Sequence, residues 1–304
     1  MYIGRFAPSP TGPLHFGSLV AAVASYLDAK NHQGKWLVRI EDIDPPREIA
    51  GSTEQILRTL EAFGMFWDGP VMYQSTRIAA YETALAQLDR QGLIYPCTCS
   101  RKEIANASTT GIEGPIYPGT CRQAAAHPER AAFAWRIRTN SNVMRFEDVI
   151  QGAQAQQLEQ EIGDFVLKRA DGLFAYQLAV VIDDHEQGVT NVVRGSDLLA
   201  STPRQIYLQK MMGFPTPSYA HVPIVTNANG EKLSKQTLAK PIQTTNPEAS
   251  LWQALHFLGQ SPPESLCHEP LNNIWGWAMS HWDIVRIPKQ ISSPEPASHI
   301  ANLA

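Results

Sequence analysis

Three groups of residues carry side chains whose types and spacing could do chemistry. The first is Pro8-Ser9-Pro10-Thr11-Gly12-Pro13-Leu14-His15-Phe16-Gly17-Ser18. If a helix starts there, its unpaired backbone N–H groups favour phosphate. His15 could then donate a hydrogen bond to a phosphate oxygen, and Gly17, lacking a side chain, would let an adenine or ribose approach the backbone. The same residues also fit a proline-rich turn closed by a capping histidine. The second group is Gly230-Glu231-Lys232-Leu233-Ser234-Lys235-Gln236. Its two lysines could close over a triphosphate, with Lys235 neutralising charge on a departing pyrophosphate. Alone, this stretch also fits a solvated basic loop. The third group is Cys97, Cys99 and Cys121. Three thiolates are soft ligands that suit tetrahedral zinc. A closed site needs a fourth ligand, and Tyr117, His127 and Cys267 are the candidates. Three buried free cysteines are the alternative.

The elements that must position these groups are legible from periodicity. Tyr2 to Phe6 reads as a strand, Ala7 to Gly12 as a loop, and Ser18 to Lys30 as a helix with Leu19, Val20, Val23 and Leu27 at helical spacing. Trp36 to Ile40 reads as a second strand. Strand, loop, helix and strand in that order imply a parallel pair with a crossover. Ser52 and Gln55 suggest a capping box for a helix through Leu60, which Gly64 would end. Ser75 to Gln91 reads as a helix with Ile78, Leu85 and Leu88 inward and Gly92 as its stop. Between 97 and 130 periodicity gives way to cysteine, glycine and proline. Ala132 to Arg138, Ala175 to Val181 and Asn191 to Arg194 read as strands, and Thr202 to Met212 as a helix. Pro215 to Leu238 reads as a strand followed by a polar loop. Pro247 to Leu258 and Leu271 to His281 read as helices, with a fraying Pro-, Ser- and Ala-rich tail from Pro288.

The bulk properties bound the class. The 304 residues are 43% hydrophobic and 18% charged, as in ordinary globular proteins. A formal net charge of −4 argues against nucleic acid gripped over the whole surface and confines any RNA contact to a patch. Met1 to Phe6 has no basic segment leading into an apolar stretch, and the apolar run Leu19 to Ala24 is too short to span a bilayer. A cytoplasmic protein with no membrane association is expected. In a reducing compartment, three of the four cysteines grouped within one region point to a metal rather than to disulfides.

Together the His15 and Lys232–Lys235 stretches resemble the two signature motifs of the class I aminoacyl-tRNA synthetases. Arg5-Phe6-Ala7-Pro8-Ser9-Pro10-Thr11-Gly12, Arg39-Ile40-Glu41-Asp42-Ile43-Asp44 and Arg194-Gly195-Ser196-Asp197-Leu198-Leu199 look like three stretches of the glutamyl-tRNA synthetases. The matches run from residue 3 to residue 236. Leu233 and Gln236 stand where many members have Met and Ser, which leaves both lysines in place. The resemblance implies an α/β fold: a Rossmann-type parallel-sheet catalytic domain, a zinc-bearing insertion and a short C-terminal helical extension. It implies ATP with Mg²⁺ and L-glutamate as substrates. His15 and Lys235 would be catalytic, and His15, Gly17, Lys232 and Lys235 would bind ATP. Arg5 and Arg194 suit the glutamate carboxylates because a planar guanidinium makes two parallel hydrogen bonds. Glu41 would take the ammonium group, with Ser9 and Tyr176 in support. Among the candidates for the fourth metal ligand the resemblance favours Tyr117, giving one structural zinc on Cys97, Cys99, Tyr117 and Cys121, with His127 as the fallback.

A division follows: 1–95 and 175–240 as the two catalytic halves, 96–174 as the insertion facing the acceptor, 241–287 as the helical extension and 288–304 as a flexible tail. Only residues 236–304 follow Lys235, which leaves no room for the large anticodon-reading domain of a discriminating glutamyl-tRNA synthetase. The chain is therefore similar to the shorter glutamyl-Q tRNA(Asp) synthetases. That likeness implies tRNA-independent activation of glutamate and its transfer to queuosine in the anticodon of tRNA(Asp), by a monomer. The competing expectations are a short glutamyl-tRNA synthetase charging a 3′ end and a non-catalytic RNA-binding paralogue.

Overall fold

The computed structural model describes residues 1–124, 127, 129–227, 229–233 and 240–296. Its centre is a parallel sheet in two abutting parts. Ile3–Phe6 pairs in parallel with Lys35–Ile40, and that strand with Met72–Tyr73. Asn191–Gly195 pairs in parallel with Ser218–Val222. The parts meet where the Thr190 N–H donates to the Ile3 carbonyl at 2.9 Å. A hairpin, Val143–Asp148 with Gly152–Gln157, extends the second part through Asp148 opposite Tyr219. In an open parallel sheet, ligands bind at the carboxyl ends of the strands. Here those ends carry Ala7, Glu41, Ser196 and Pro223.

The helix between the first two strands is Phe16–Asn31, two residues longer at its start than periodicity predicts, because His15 is its N-cap. Leu19, Val20, Val23 and Leu27 are fully buried in the main core. Pro247–Phe257 and Leu271–His281 join that core through Leu251, Leu255, Ile274 and Trp275. The extension is fixed by polar contacts as well: Trp275 Nε1 donates to the Phe63 carbonyl at 2.8 Å and Trp282 Nε1 to Asp28 at 3.2 Å. Each large apolar side chain so buried contributes about 1.5–3 kcal/mol. None of the described helices is long and apolar enough to cross a membrane.

Several local expectations change. Ala175 to Val181, read as a strand, lies in the helix Tyr176–Glu186. Residues Gln177 to Asp184 are all buried there, and a short run buried on every side has no periodicity to separate helix from strand. The cap of the helix Ser52–Ala62 is Gly51 at φ 77°, not Ser52. Ser52 instead clamps the first loop: its Oγ donates to the Gly12 carbonyl at 2.7 Å and accepts from the Gly12 N–H at 2.9 Å. A complete capping box does occur, at Ser100 and Glu103, ahead of Arg101–Ala107. Ile78, expected inward, is exposed at the start of Ile78–Arg90. Part of the tail expected to fray is docked, since Ser292–Pro294 pairs in parallel with Ile224–Thr226. Residues 297–304 lie outside the described residues.

Segment 96–174 contributes a second sheet as well as the hairpin. Ile94–Cys97 pairs antiparallel with Ala134–Ile137, which pairs antiparallel with Val166–Lys168. The cysteines sit at the end of the first of these strands. With Tyr95, Tyr117 and Ile104 they form a small core of their own.

Candidate active site

The first loop is folded onto the strand ends. The Glu41 N–H donates to the Pro8 carbonyl at 3.0 Å and the Ile49 N–H to the Pro10 carbonyl at 3.0 Å. Ser9 is exposed on this loop. At its end His15 caps the helix, Nδ1 accepting from the Ser18 N–H at 3.3 Å. In a neutral ring, acceptance at Nδ1 puts the proton on Nε2, the form that donates to an anion. Capping and phosphate binding are therefore compatible. The first turn of this helix has no acidic residue, which suits a negative ligand. A Cβ on Gly17 would lie 3.2 Å from the His15 ring, a tight contact that would displace the imidazole by a few tenths of an ångström.

The lysine-bearing loop leaves and returns beside His15. The Leu233 N–H donates to the Val225 carbonyl at 2.8 Å, and the Ile242 N–H to the Leu14 carbonyl at 2.9 Å. Leu233 is buried in the main core. Lys232 Nζ pairs with Asp197 Oδ2 at 2.6 Å, joining this loop to the Arg194–Leu199 stretch. Lys235 lies outside the described residues.

The four candidate glutamate residues other than Ser9 share one buried neighbourhood. Arg5 Nε donates to Asp184 Oδ1 at 3.1 Å, and Arg39 Nη2 reaches the same oxygen at 2.7 Å. Arg39 also donates to Gln187 Oε1 at 2.7 Å and lies 3.7 Å from Glu41 Oε1. Burial opposes ionisation of Asp184, but the two arginines hold its carboxyl below the usual range. Removing one partner from so buried a pair would cost about 3–5 kcal/mol. Glu41 differs from Asp184. Its side chain is 9% exposed, and Oε1 is buried without a hydrogen-bond partner. Burial pushes its carboxyl up to about 7 against the pull of Arg39 and Arg5. An unpaired buried acceptor is costly, and an ammonium group is the natural complement to it.

Arg194 is 5% exposed. Its Nη1 donates to the Tyr176 hydroxyl at 3.2 Å, Nη2 to Thr202 Oγ1 at 2.8 Å, and Nε to His221 Nε2 at 3.0 Å. Burial raises the Tyr176 phenol, which feels Arg194, Glu41, Arg5 and Asp184 together. Three fixed guanidinium groups thus lie around one carboxylate hydrogen-bonded to two of them and one whose Oε1 lacks a hydrogen bond. That arrangement complements a ligand with two carboxylates and one ammonium.

Arg39, Asp184, Asp148, His221 and Asp197 are functional neighbours to which the sequence assigned no role, although Arg39 and Asp197 lie in the family-like stretches. A signal existed for two of them. Arg39 interrupts the apolar strand Trp36 to Ile40, and the pair Asp183-Asp184 follows an apolar run directly. Charges in such runs are buried only when paired.

The ligating atoms of Cys97, Cys99 and Cys121 lie within 4.8 Å of one another. Cys99 Sγ is 3.4 Å from Cys121 Sγ, and the Tyr117 hydroxyl is 3.3 Å from Cys97 Sγ and 3.8 Å from Cys99 Sγ. Tetrahedral Zn–S and Zn–O bonds of ordinary length imply edges of about 3.5–3.8 Å, so this donor set fits a single ion. Burial and the neighbouring sulfurs push the Cys99 thiol up to about 12, and burial beside Cys97 raises the Tyr117 phenol. A cation among them would reverse both. His127 is drawn elsewhere, its ring nitrogens 3.1 Å from Glu103 and 3.4 Å from Glu129. Cys267 lies apart, in the turn Glu264–His268.

Comparison with known proteins places the chain in a family. Residues 3–257 match the family of class I tRNA synthetases (E and Q), catalytic domain. A glutamyl-Q tRNA(Asp) synthetase of Dechloromonas aromatica is 56% identical over 291 residues, covering 95% of this chain and 96% of that protein. One of Aromatoleum aromaticum is 52% identical over 300 residues, covering 99% and 95%. Among solved structures, a glutamate tRNA ligase from Elizabethkingia meningosepticum in complex with its amino acid superposes with a TM-score of 0.77 at 25% identity. The match covers 97% of this chain and 67% of that one. The chain is an ATP-dependent ligase and belongs to the glutamyl-Q tRNA(Asp) synthetase family of class I tRNA synthetases.

Proposed function

We propose that this enzyme activates L-glutamate with ATP without needing tRNA, and then transfers the glutamyl group to queuosine in the anticodon of tRNA(Asp). The observation that carries the glutamate half is the buried Glu41 oxygen that lacks a hydrogen bond, in the neighbourhood of Arg5, Arg39 and Arg194. The names of the relatives, matched over at least 95% of both chains and more than half identical, support the acceptor half.

In the first step a glutamate α-carboxylate oxygen attacks the α-phosphorus of ATP. The bond to the β-phosphate oxygen breaks and pyrophosphate leaves. The carboxylate is ionised at neutral pH, so no general base is required. Catalysis is then positioning and charge stabilisation. Mg²⁺ enters with the nucleotide. His15 and Lys235 stabilise the charge that develops, while Gly17 and Lys232 hold the nucleotide. Arg5, Ser9, Tyr176 and Arg194 hold the carboxylate end and Glu41 the ammonium. In the second step a hydroxyl of the queuosine cyclopentenediol attacks the acyl carbon and loses its proton. An ester forms and AMP leaves.

Zinc on Cys97, Cys99, Tyr117 and Cys121 is structural in this account. Those four residues would hold the ion, and the site would brace the inserted segment 96–174, assigned to the RNA side, between the catalytic halves 1–95 and 175–240. Residues 241–287 extend the catalytic core. We take the enzyme to be a cytoplasmic monomer.

The acceptor is tested with labelled glutamate, ATP and two RNAs. Queuosine-bearing tRNA(Asp) should be labelled, and periodate treatment of its cyclopentenediol should abolish labelling. Labelling of tRNA(Glu) at its 3′ end would overturn the acceptor assignment.

A further inference from the structure

Asp148 and His221 have no part in the chemistry above, yet both are buried, 1% and 0% exposed, on neighbouring strands of the central sheet. Asp148 Oδ1 accepts the N–H groups of Ile150 at 3.1 Å, Gln151 at 2.8 Å and His221 at 3.1 Å. Its Oδ2 lies 2.6 Å from His221 Nδ1. Burial opposes ionisation of this carboxyl, but His221 and the backbone amides keep it below the usual range.

An ionised carboxylate only accepts, so Nδ1 of His221 carries the proton. Nε2 must then present a lone pair, and it faces Arg194 Nε at 3.0 Å and Thr202 Oγ1 at 3.2 Å. Arginine only donates. The polarity of the chain is therefore fixed from end to end: Arg194 donates to His221, and His221 donates to Asp148. Burial and Arg194 outweigh Asp148 and hold the imidazole down at about 4, so the ring is neutral at physiological pH. Thr202 takes Nη2, and the remaining edge of the guanidinium meets the Tyr176 hydroxyl. The opposite tautomer would set an N–H of His221 against the Nε–H of Arg194.

We propose that Asp148 and His221 are positioning residues for glutamate, locking one histidine tautomer so that Arg194 holds its free edge toward Tyr176 in the substrate pocket. The proposal rests on Arg194 binding a glutamate carboxylate. It deepens that assignment by giving the pocket a donor-only edge whose orientation is set two residues away.

The test uses the full-length enzyme in ATP–pyrophosphate exchange, with glutamate and ATP titrated separately. Asp148→Asn is nearly isosteric, and its oxygen can still accept the three backbone N–H groups. Its amide would donate to Nδ1, which moves the proton to Nε2 against Arg194. The expected result is a glutamate KM about tenfold higher, with kcat and the ATP KM within about twofold, on the scale of one mis-set charged hydrogen bond. His221→Leu should behave likewise. His221→Gln should keep the glutamate KM within about threefold of wild type, because its carbonyl can accept from Arg194 and its amide donate to Asp148. The ¹⁵N spectrum of labelled histidine should show His221 protonated on Nδ1 in the wild type and on Nε2 in Asp148→Asn. A purely structural role would lower thermal stability and raise both KM values together, and that result would overturn the proposal. So would a wild-type ring protonated on Nε2. Glutamate-dependent wild-type exchange with an unchanged glutamate KM in Asp148→Asn would sink this proposal alone. Wild-type exchange indifferent to glutamate would sink the assignment beneath it as well.

Discussion

The arginine–carboxylate cluster around Glu41 and the cysteine cluster around Tyr117 are both buried groups of titratable side chains, held together by opposite means. In the first, nearly every charged side chain is held by partners on rigid elements. Asp184, on a helix, takes Arg5 and Arg39 from two strands, and Arg194 is held by Thr202, His221 and Tyr176. Left without a hydrogen bond are Arg39 Nε and one carboxylate oxygen of Glu41, and that oxygen is complementary to a substrate ammonium. In the second cluster every member is a weak acid. Cys97, Cys99, Cys121 and Tyr117 can satisfy one another only while protonated. The pocket is thus preorganised by its own charges, whereas the cysteine cluster calls for a cation. Disturbing the first should damage substrate binding, and disturbing the second should damage the local fold.

The sharpest separation comes from Arg194→Ala. Losing two charge-assisted hydrogen bonds of about 1.5–3 kcal/mol each should lower kcat/KM for glutamate in exchange by about 10²-fold or more. The ATP KM should change far less.

Acidity gives the next largest effect. Glu41 must be ionised to take an ammonium, and its carboxyl sits at about 7. The glutamate KM should therefore fall as pH rises through about 7, by up to about tenfold per pH unit below it. Glu41→Gln should bind poorly with a flat profile. A flat profile in the wild type would break the contrast drawn between Glu41 and Asp184. Stability carries the opposite sign. A carboxyl raised from 4.5 to about 7 by folding contributes stability that is fully present below 4.5 and is lost as pH rises through about 7.

Tyr176→Phe removes one neutral partner of Arg194 and should raise the glutamate KM by about three- to tenfold, as expected for 0.5–1.5 kcal/mol. The smallest effect on exchange is expected from Cys121→Ser. Metal analysis should find zinc lost and differential scanning calorimetry a lower melting temperature, while glutamate exchange stays within about threefold of wild type. A loss in exchange as large as that of Arg194→Ala would merge the two regions into one functional unit.

How far the sequence reveals this arrangement depends on what kind of contact a residue makes. The helix after the first strand is legible because its 16 residues are long enough for Leu19, Val20, Val23 and Leu27 to mark a helical spacing. Tyr176–Glu186 is not, because its 11 residues carry the unbroken buried run Gln177 to Asp184, and its misreading hid Asp184. Arg5, Glu41 and Arg194 come from motif resemblance, and the cysteines from spacing. Arg39, Asp148 and His221 act through hydrogen-bonded side chains 19 to 148 positions away, and no local pattern carries that information. The Ser52 capping box failed for the same reason: its hydroxyl serves Gly12, 40 positions earlier.

The most direct test of the account is ATP–pyrophosphate exchange by the purified enzyme with no RNA present. The account predicts exchange that depends on L-glutamate and is weak with glutamine or aspartate. Absence of exchange until tRNA is added, or exchange driven equally by glutamine, would contradict it.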